Sequence, residues 1–446
     1  MTPNDRDLGA PAPLMRYRFG DLPALLRTPL GRRQVAVGVC YRAWPLLRRL
    51  ASLHRRTLAR RTRVVAVVGS FGKTTTARAT LAALGCPLPP CRDQNSFSFA
   101  AGAVLSLRPW DRHAVIEIGI AGPGQMGAYA RMVRPDVTVV TSIGSEHQRV
   151  LGTLEATREE KAEMLRILPP TGLAVVNGDD SHIRWMREQT RARVVTFGFR
   201  PDNDLRATAV DLDWPQGMRF RLHAHGETRR VRTRLLGRSS VYAILAAVAV
   251  ARGEGLGLDR VVRALESLDP APGRLHVVPL ANGAYLLRDD FKSPLETIDA
   301  ALDTLAEIRA PRRIVVLGDV SELVGSQGPV YRRLGERVGQ LAARAIFVTG
   351  RNISMYRTGA RRGGLPPEAI AHARTVREAV AALEGTLQPG DVVLLKGRDT
   401  QRLGRIALAL LGCPVGCEIR CCEAYAMECD RCPMLERGWN GVRVVI

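Results

Sequence analysis

Lysine is nearly absent from this chain. Of its 65 basic residues only four are lysine, Lys73, Lys161, Lys292 and Lys396, and each falls inside a short motif. Arginine is a planar, permanently charged fork, whereas the lysine amine is a compact charge that can lose its proton and be chemically modified. Lysine has been kept where phosphate contact or amine chemistry is required, and the four positions together outline an active site. A second absence is a long apolar run. Nothing approaches the about 20 uncharged residues that span a bilayer, and no signal-peptide pattern is found. These absences lead us to expect an intracellular, cytoplasmic protein, attached to a membrane at most peripherally. Acidic residues are also short, giving a net charge of +22. About half of it sits in residues 1–63, where fourteen arginines face only Asp5, Asp7 and Asp21. Such an excess is either a solvated helix face or a contact with something acidic, such as the inner membrane face or a phosphate-rich substrate. No nucleic acid partner is expected.

The 446 residues, 46% apolar and 24% charged, suit a globular protein of two or three domains. Residues 1–15 are proline-rich and aperiodic and are expected to be disordered. From about Arg32 to Arg60 apolar residues alternate with arginine pairs at helical spacing; such a helix could pack on its own domain or lie on a membrane. At Arg63 the texture changes. Val64–Val68 reads as a buried parallel strand, and similar runs recur at Ala114–Ile118, Val137–Thr141, Leu173–Val176 and Val194–Phe199, with helical stretches between several of them. A second alternation follows Gly273-Arg274, with strands at Ile314–Leu317, Ala345–Val348 and Val392–Leu395. The reading is α/β throughout: a basic helical segment over 1–62, an α/β domain over 63–272, a second over 273–412 and a tail over 413–446.

The first strand runs into Gly69-Ser70-Phe71-Gly72-Lys73-Thr74-Thr75-Thr76 and then a helix. This is a phosphate cradle: glycines let backbone N–H groups close on phosphates, and the helix aims its positive end at them. Lys73 can reach terminal phosphates and the Thr74 hydroxyl can ligate Mg²⁺.

The compact form G-x-x-G-K-T-T-T resembles the ATP loop of the Mur ligases, the ATP-dependent amide ligases of peptidoglycan assembly. The resemblance continues through Asn95, Ile116-Glu117-Ile118-Gly119 with Pro123-Gly124, and Arg134-Pro135-Asp136-Val137. It extends through Thr141-Ser142-Ile143-Gly144-Ser145-Glu146-His147, Lys161-Ala162-Glu163, Asn177 and Asp179-Asp180. Gly273-Arg274, Leu317-Gly318-Asp319 and Lys396-Gly397 are similar to the family's C-terminal signatures. Over roughly residues 63–410 the pattern is nearest the MurF branch.

The resemblance implies a P-loop central domain and a Rossmann-like C-terminal domain joining a small carboxylate to an amine, an amino acid or peptide, through an acyl phosphate, with ATP and Mg²⁺. It implies that Gly69 to Thr75 and Asn95 bind nucleotide, that Thr74, Glu117 and His147 seat Mg²⁺, and that Lys161, fourteen residues after His147, is carbamylated by CO₂. Arg274, Asp290 and Lys292 are implied at the nucleotide and Lys396 at the substrate. The D-x-K at 290–292 resembles the MurD branch more than MurF.

Three departures stand against this. The segment before residue 63 looks like a basic helix and not the UDP-gripping domain of MurF. The family's G-x-H-N reads Gly237-Arg238-Ser239-Ser240, without the adenine-side Asn. Six cysteines crowd into 413–432, while Cys40, Cys86 and Cys91 are scattered and read as inert thiols. In an intracellular protein such a cluster favours a soft metal, Zn²⁺ or an iron–sulfur centre, with Cys417, Cys421, Cys429 and Cys432 giving the most familiar spacings. Two other readings remain open: an ATP-binding scaffold or regulator without turnover, and a P-loop ATPase linked to the metal or redox tail.

Overall fold

The structure, a computed structural model, describes residues 22–27, 29–88, 95, 97–146, 148–422, 424 and 427–437. His147 and Cys91 therefore lie outside the described residues. The chain forms two compact units: one spans Gly38–Pro270, and the other combines residues 22–37 with those from Ala271 onward.

The first unit is built on eight strands: β1 (Arg63–Val68), β2 (His113–Glu117), β3 (Val137–Val140), β4 (Leu173–Asn177), β5 (Arg193–Gly198), β6 (Leu205–Asp213), β7 (Gly217–Ala224) and β8 (Glu227–Thr233). Their order is β2-β1-β3-β4-β5-β6-β7-β8. Pairing is parallel as far as β6 and antiparallel beyond it. Strands β1 to β5 are the valine-rich runs expected of a sheet buried on both faces, and all of Val64–Val68 is buried. The chain leaves β1 toward β2 and returns across it to β3. This reversal of direction makes the carboxyl ends of β1 and β3 the place where an open α/β sheet binds ligands. The helix Arg238–Gly253 is apolar nearly all round and is buried from Ser240 to Ala251 with the exception of half-buried Tyr242, as a helix enclosed by sheet and neighbouring helices must be.

The antiparallel meander β6–β8 was not expected. Buried and open positions alternate along much of it, with an irregularity between Thr208 and Asp211, and many of its outward positions are arginine, as in Glu227–Thr233. One solvated face removes the continuous apolar run by which the other strands are recognised.

The single helix expected over Arg32–Arg60 is two, Pro29–Arg42 and Trp44–Arg56. Pro45 explains the break: it has no N–H to give the preceding turn and is tolerated only at the start of a new helix. The second helix packs on the first unit. Trp44 meets Phe97 and Tyr129 edge to face. Arg55, at its end, is buried and donates to Val133 O at 3.0 Å, Arg134 O at 3.0 Å and Asp136 Oδ2 at 2.9 Å. Asp136 also accepts from Val64 N at 2.9 Å, so one carboxylate ties the helix to the start of β1.

The second unit holds β9 (His276–Pro279), β10 (Tyr285–Asp289), β11 (Arg313–Leu317), β12 (Arg344–Val348), β13 (Ile370–Ala373) and β14 (Val392–Lys396), in the order β13-β12-β11-β14-β10-β9. Only β9 is antiparallel. Lys396 thus ends a central strand, with β10 and β11 on either side.

Arg55→Ala strips a buried cation from its carboxylate and from three carbonyls, those of Val133, Arg134 and Ala59. It should lower the unfolding free energy by about 3 kcal/mol, seen as an earlier urea transition. A loss under about 1 kcal/mol would place the contact among ordinary surface bridges.

Candidate active site

The loop after β1 folds back on the loop after β3. Ser70 N donates to Ser142 O at 2.8 Å and Phe71 N to Ser142 Oγ at 2.9 Å. Thr141 Oγ1 donates to Phe71 O at 2.5 Å. Gly69 has φ of 143°, a conformation open to glycine, and a Cβ there would run into Thr141 Oγ1. Two loops in such close contact leave room for backbone alone. The helix Lys73–Leu84 starts directly behind, with Gly72 left-handed at its N-cap.

Two of the four lysines converge here. Lys73 Nζ donates to Gly69 O, Ser70 O and Glu146 Oε2, each at 2.9 Å. Lys161 Nζ donates to Ser70 Oγ at 2.7 Å. Both ammonium groups are almost fully buried, at 5% and 1% exposure. The helix Leu154–Arg166 carries Lys161 inward because Thr157, Lys161, Ala162, Met164 and Leu165 form its buried stripe. Its start is fixed by Thr153 Oγ1, which accepts from Ala156 N at 3.1 Å. Ser70 Oγ also donates to Gly144 O at 3.1 Å and accepts from Gly144 N at 2.8 Å.

At the neighbouring strand end, Asn95 Nδ2 donates to Glu117 Oε1 at 2.6 Å and Asn95 O accepts from Gly119 N at 2.7 Å. Asn95 and Glu117 therefore act as a pair. Asn177 and the two aspartates brace the loops: Asn177 Nδ2 donates to Thr141 O at 2.9 Å, Asp180 accepts from Ile143 N at 2.8 Å, and Asp179 accepts from Tyr242 Oη at 2.9 Å. Arg238, in the stretch that lacks the adenine-side Asn, lies 5.1 Å over the Phe199 ring. Glu146 was given no role from sequence, though its place beside His147 in a glycine loop was the available signal; it is buried and paired with Lys73.

The remaining two lysines lie in the second unit. Lys396 Nζ donates to Asp289 Oδ2 at 2.6 Å and Lys292 O at 2.7 Å, fully buried. Burial holds its ammonium below the usual lysine range, against the pull of Asp289. Asp290 takes both arms of Arg288 at 3.1 Å, and Arg274 lies 4.4 Å over the Phe291 ring. Lys396 thus supports the turn that carries Asp290 and Lys292. In the tail, Cys417, Cys429 and Cys432 are half-buried, as is Cys422, whereas Cys421 is exposed. Among the described residues no three His, Cys, Asp or Glu side chains already stand at metal-coordinating spacing.

Residues 67–251 match the Mur ligase middle domain, and residues 273–398 match the Mur ligase glutamate ligase domain. The UDP-N-acetylmuramoyl-tripeptide–D-alanyl-D-alanine ligase of Mycobacterium tuberculosis is 31% identical over 372 residues, covering 78% of this chain and 72% of the relative. The chain belongs to the Mur ligase family. MurF from Acinetobacter baumannii has the same architecture, with a TM-score of 0.73 and 26% identity over 83% of this chain and 80% of that one. MurF from Thermotoga maritima, solved with ADP, shares the fold at a TM-score of 0.72 and 21% identity, covering 83% of each chain.

This Mur ligase is MurF-like, an ATP-dependent enzyme that forms a C–N bond, and the family uses ATP and Mg²⁺. The residues fit both. The glycine loop leads straight into the N-terminus of the helix Lys73–Leu84, where backbone N–H groups receive phosphate, and the oxygens of Thr74 and Glu117 are the hard donors that Mg²⁺ prefers.

Gly69→Ala should strain the loop by about 1–3 kcal/mol and weaken Mg-ADP binding by about tenfold or more, measured calorimetrically. Unchanged affinity would remove the phosphate cradle from this loop.

Proposed function

We propose that the enzyme joins a cell-wall precursor, or a related carrier-bound acid, to an amino acid or peptide amine. The observation that carries this reading is the convergence of Lys73 and Lys161 on Ser70 within a glycine-built phosphate loop. The activity of the Mycobacterium tuberculosis relative supports the choice of acid and amine.

A carboxylate cannot be displaced by an amine until its oxygen is made a leaving group. The γ-phosphoryl of ATP passes to the acid, giving an acyl phosphate and ADP. The amine then attacks the acyl carbon, loses a proton, and phosphate departs. Charge is crowded at each stage, so cations and oriented donors carry the catalysis. Lys73 exchanges Glu146 for the terminal phosphates. Thr74, Glu117 and His147 would hold Mg²⁺, which would supply positive charge against the phosphates. Lys161 acts as a carbamate, turning a buried amine into a carboxylate-like group beside the same loop. Lys396 is a positioning residue, since its ammonium is engaged by Asp289 and the Lys292 carbonyl.

We further propose that the enzyme works in the cytoplasm and touches the inner membrane face. Among the described residues no helix is long and apolar enough to cross a membrane. The helix Trp44–Arg56 nevertheless exposes Leu46, Leu50 and Leu53, at 59%, 45% and 60%, with Arg49 and Arg56 exposed beside them. An apolar stripe edged by arginine suits an anionic lipid surface.

Purified enzyme with ATP and Mg²⁺ should release ADP only when both acid and amine are present, with amide formed in equal amount, and should sediment with anionic but not neutral vesicles. ADP release without acceptors would indicate a plain ATPase. Nucleotide binding without ADP from any acceptor pair would favour a scaffold. Equal sedimentation with both vesicle types, or with neither, would remove the membrane contact.

A further inference from the structure

We propose that Cys417, Cys422, Cys429 and Cys432 bind one thiophilic metal centre as a set of four thiolates, and that this centre clamps the tail onto the second unit. Cys422 takes the place that spacing alone gave to its neighbour Cys421. The inference stands apart from the ligation chemistry.

The tail's backbone folds back on itself around these four cysteines. Gly416 N and Cys417 N both donate to Leu435 O, at 2.7 and 3.0 Å, which closes the segment on itself. Cys432 N donates to Cys429 O at 3.1 Å and Leu435 N to Cys432 O at 3.0 Å, a tight turn that sets the last two cysteines side by side. Cys422 and Cys432 pack in one apolar cluster with Leu25, Ala424, Met427 and Met434. These backbone bonds and this cluster gather the half-buried Cys417, Cys422, Cys429 and Cys432, whereas Cys421 and Cys413 are exposed.

The cations beside the sulfurs supply the second observation. Arg405 is 1% exposed and heads the largest fully buried side chains. Its Nη1 donates to Cys417 Sγ at 3.2 Å and Cys417 O at 2.7 Å, and its Nη2 to Ile419 O at 2.6 Å and Gln401 O at 3.1 Å. Among the described residues no carboxylate accepts from it. A buried guanidinium faced by carbonyls and a sulfur is costly unless negative charge lies nearby. Four thiolates around a divalent metal carry a net charge of about −2 and balance it. Arg402 interacts with both Cys422 and Cys429 while pairing with Asp399 at 2.9 Å.

The same contacts show what the clamp would hold. Cys422 N donates to Thr400 O at 2.7 Å and Arg402 Nη2 to Ala424 O at 2.6 Å. Arg288, which grips Asp290, is within the field of Cys429. The centre would therefore fix the Asp399–Arg405 segment and the Arg288–Asp290 pair. Since no three ligands yet stand at coordinating spacing among the described residues, binding must draw the sulfurs together, each thiol releasing its proton to solvent.

The test uses the full chain purified without oxygen. Elemental analysis should find zinc or iron bound, and the visible spectrum separates a colourless zinc site from an absorbing iron–sulfur centre. After chelation, added Co²⁺ should give thiolate charge-transfer and tetrahedral ligand-field bands at one equivalent, and should raise the urea midpoint. Cys417→Ser, Cys422→Ser, Cys429→Ser and Cys432→Ser should each weaken Co²⁺ uptake at least tenfold, while Cys413→Ser and Cys421→Ser should not. Folding of each variant is checked by circular dichroism, and the Co²⁺ titration of the unmutated chain stands whether or not they fold. Failure to hold zinc or iron or to develop Co²⁺ bands would overturn the proposal. So would dependence on Cys421 in place of Cys422, or intramolecular disulfides among the four in the purified chain.

Discussion

One hydroxyl lies at the centre of the first unit's chemistry. Ser70 Oγ accepts from the Lys161 ammonium and from Gly144 N while donating to Gly144 O. It thereby joins three stretches distant in sequence: the phosphate loop, the loop after β3 and the helix Leu154–Arg166. The arrangement imposes conditions on each. The loops can approach closely only if Gly69 has no side chain. The helix must turn a polar residue into its apolar stripe, and a long aliphatic stem ending in an amine meets that demand. Lys73, held by the same loop's carbonyls, brings a second cation beside it. Until Lys161 takes up CO₂, two buried cations near one turn repel each other. Glu146 offsets part of that repulsion, and phosphates would offset more.

Arginine performs a different task in this chain. Arg55 gathers carbonyls and Asp136, and Arg312 clasps the fully buried Asp391, whose carboxyl it holds below the usual range against the effect of burial. Arg405 caps carbonyls and a sulfur in the tail. In each case the planar fork satisfies several acceptors at once, which a lysine cannot do from one point. Part of the large positive charge is thus spent on internal bracing, and part, as at Arg49 and Arg56, faces outward.

Much of this was legible from the residues. The valine runs announced β1 to β5, because strands buried on both faces leave no polar alternation to confuse them. The phosphate loop and the scarce lysines pointed to one site, and Lys73 and Lys161 do meet at Ser70. The meander β6–β8 was hidden by arginines on its open face, and the helix break by a single proline. In the tail, adjacent Cys421 and Cys422 offer nearly equal spacings; the fold exposes the first and packs the second beside Cys432, which is the ground for proposing Cys422 as the ligand. Glu146 was passed over because a glutamate in a loop is ordinarily solvated, and only the fold brings it to Lys73. The part played by Lys396 was also a matter of depth, since a lysine ending a strand looks the same in sequence whether it faces solvent or is sealed against Asp289.

The central claim is that Lys161 works as a carbamate beside the phosphate loop. It is tested most directly by equilibrating the active enzyme with ¹³C-labelled bicarbonate and recording its carbon NMR spectrum. The account predicts a carbamate resonance that disappears in Lys161→Arg, together with ligation that excess bicarbonate does not restore. A fully active Lys161→Arg enzyme, or a fully active enzyme with no such resonance, would contradict it.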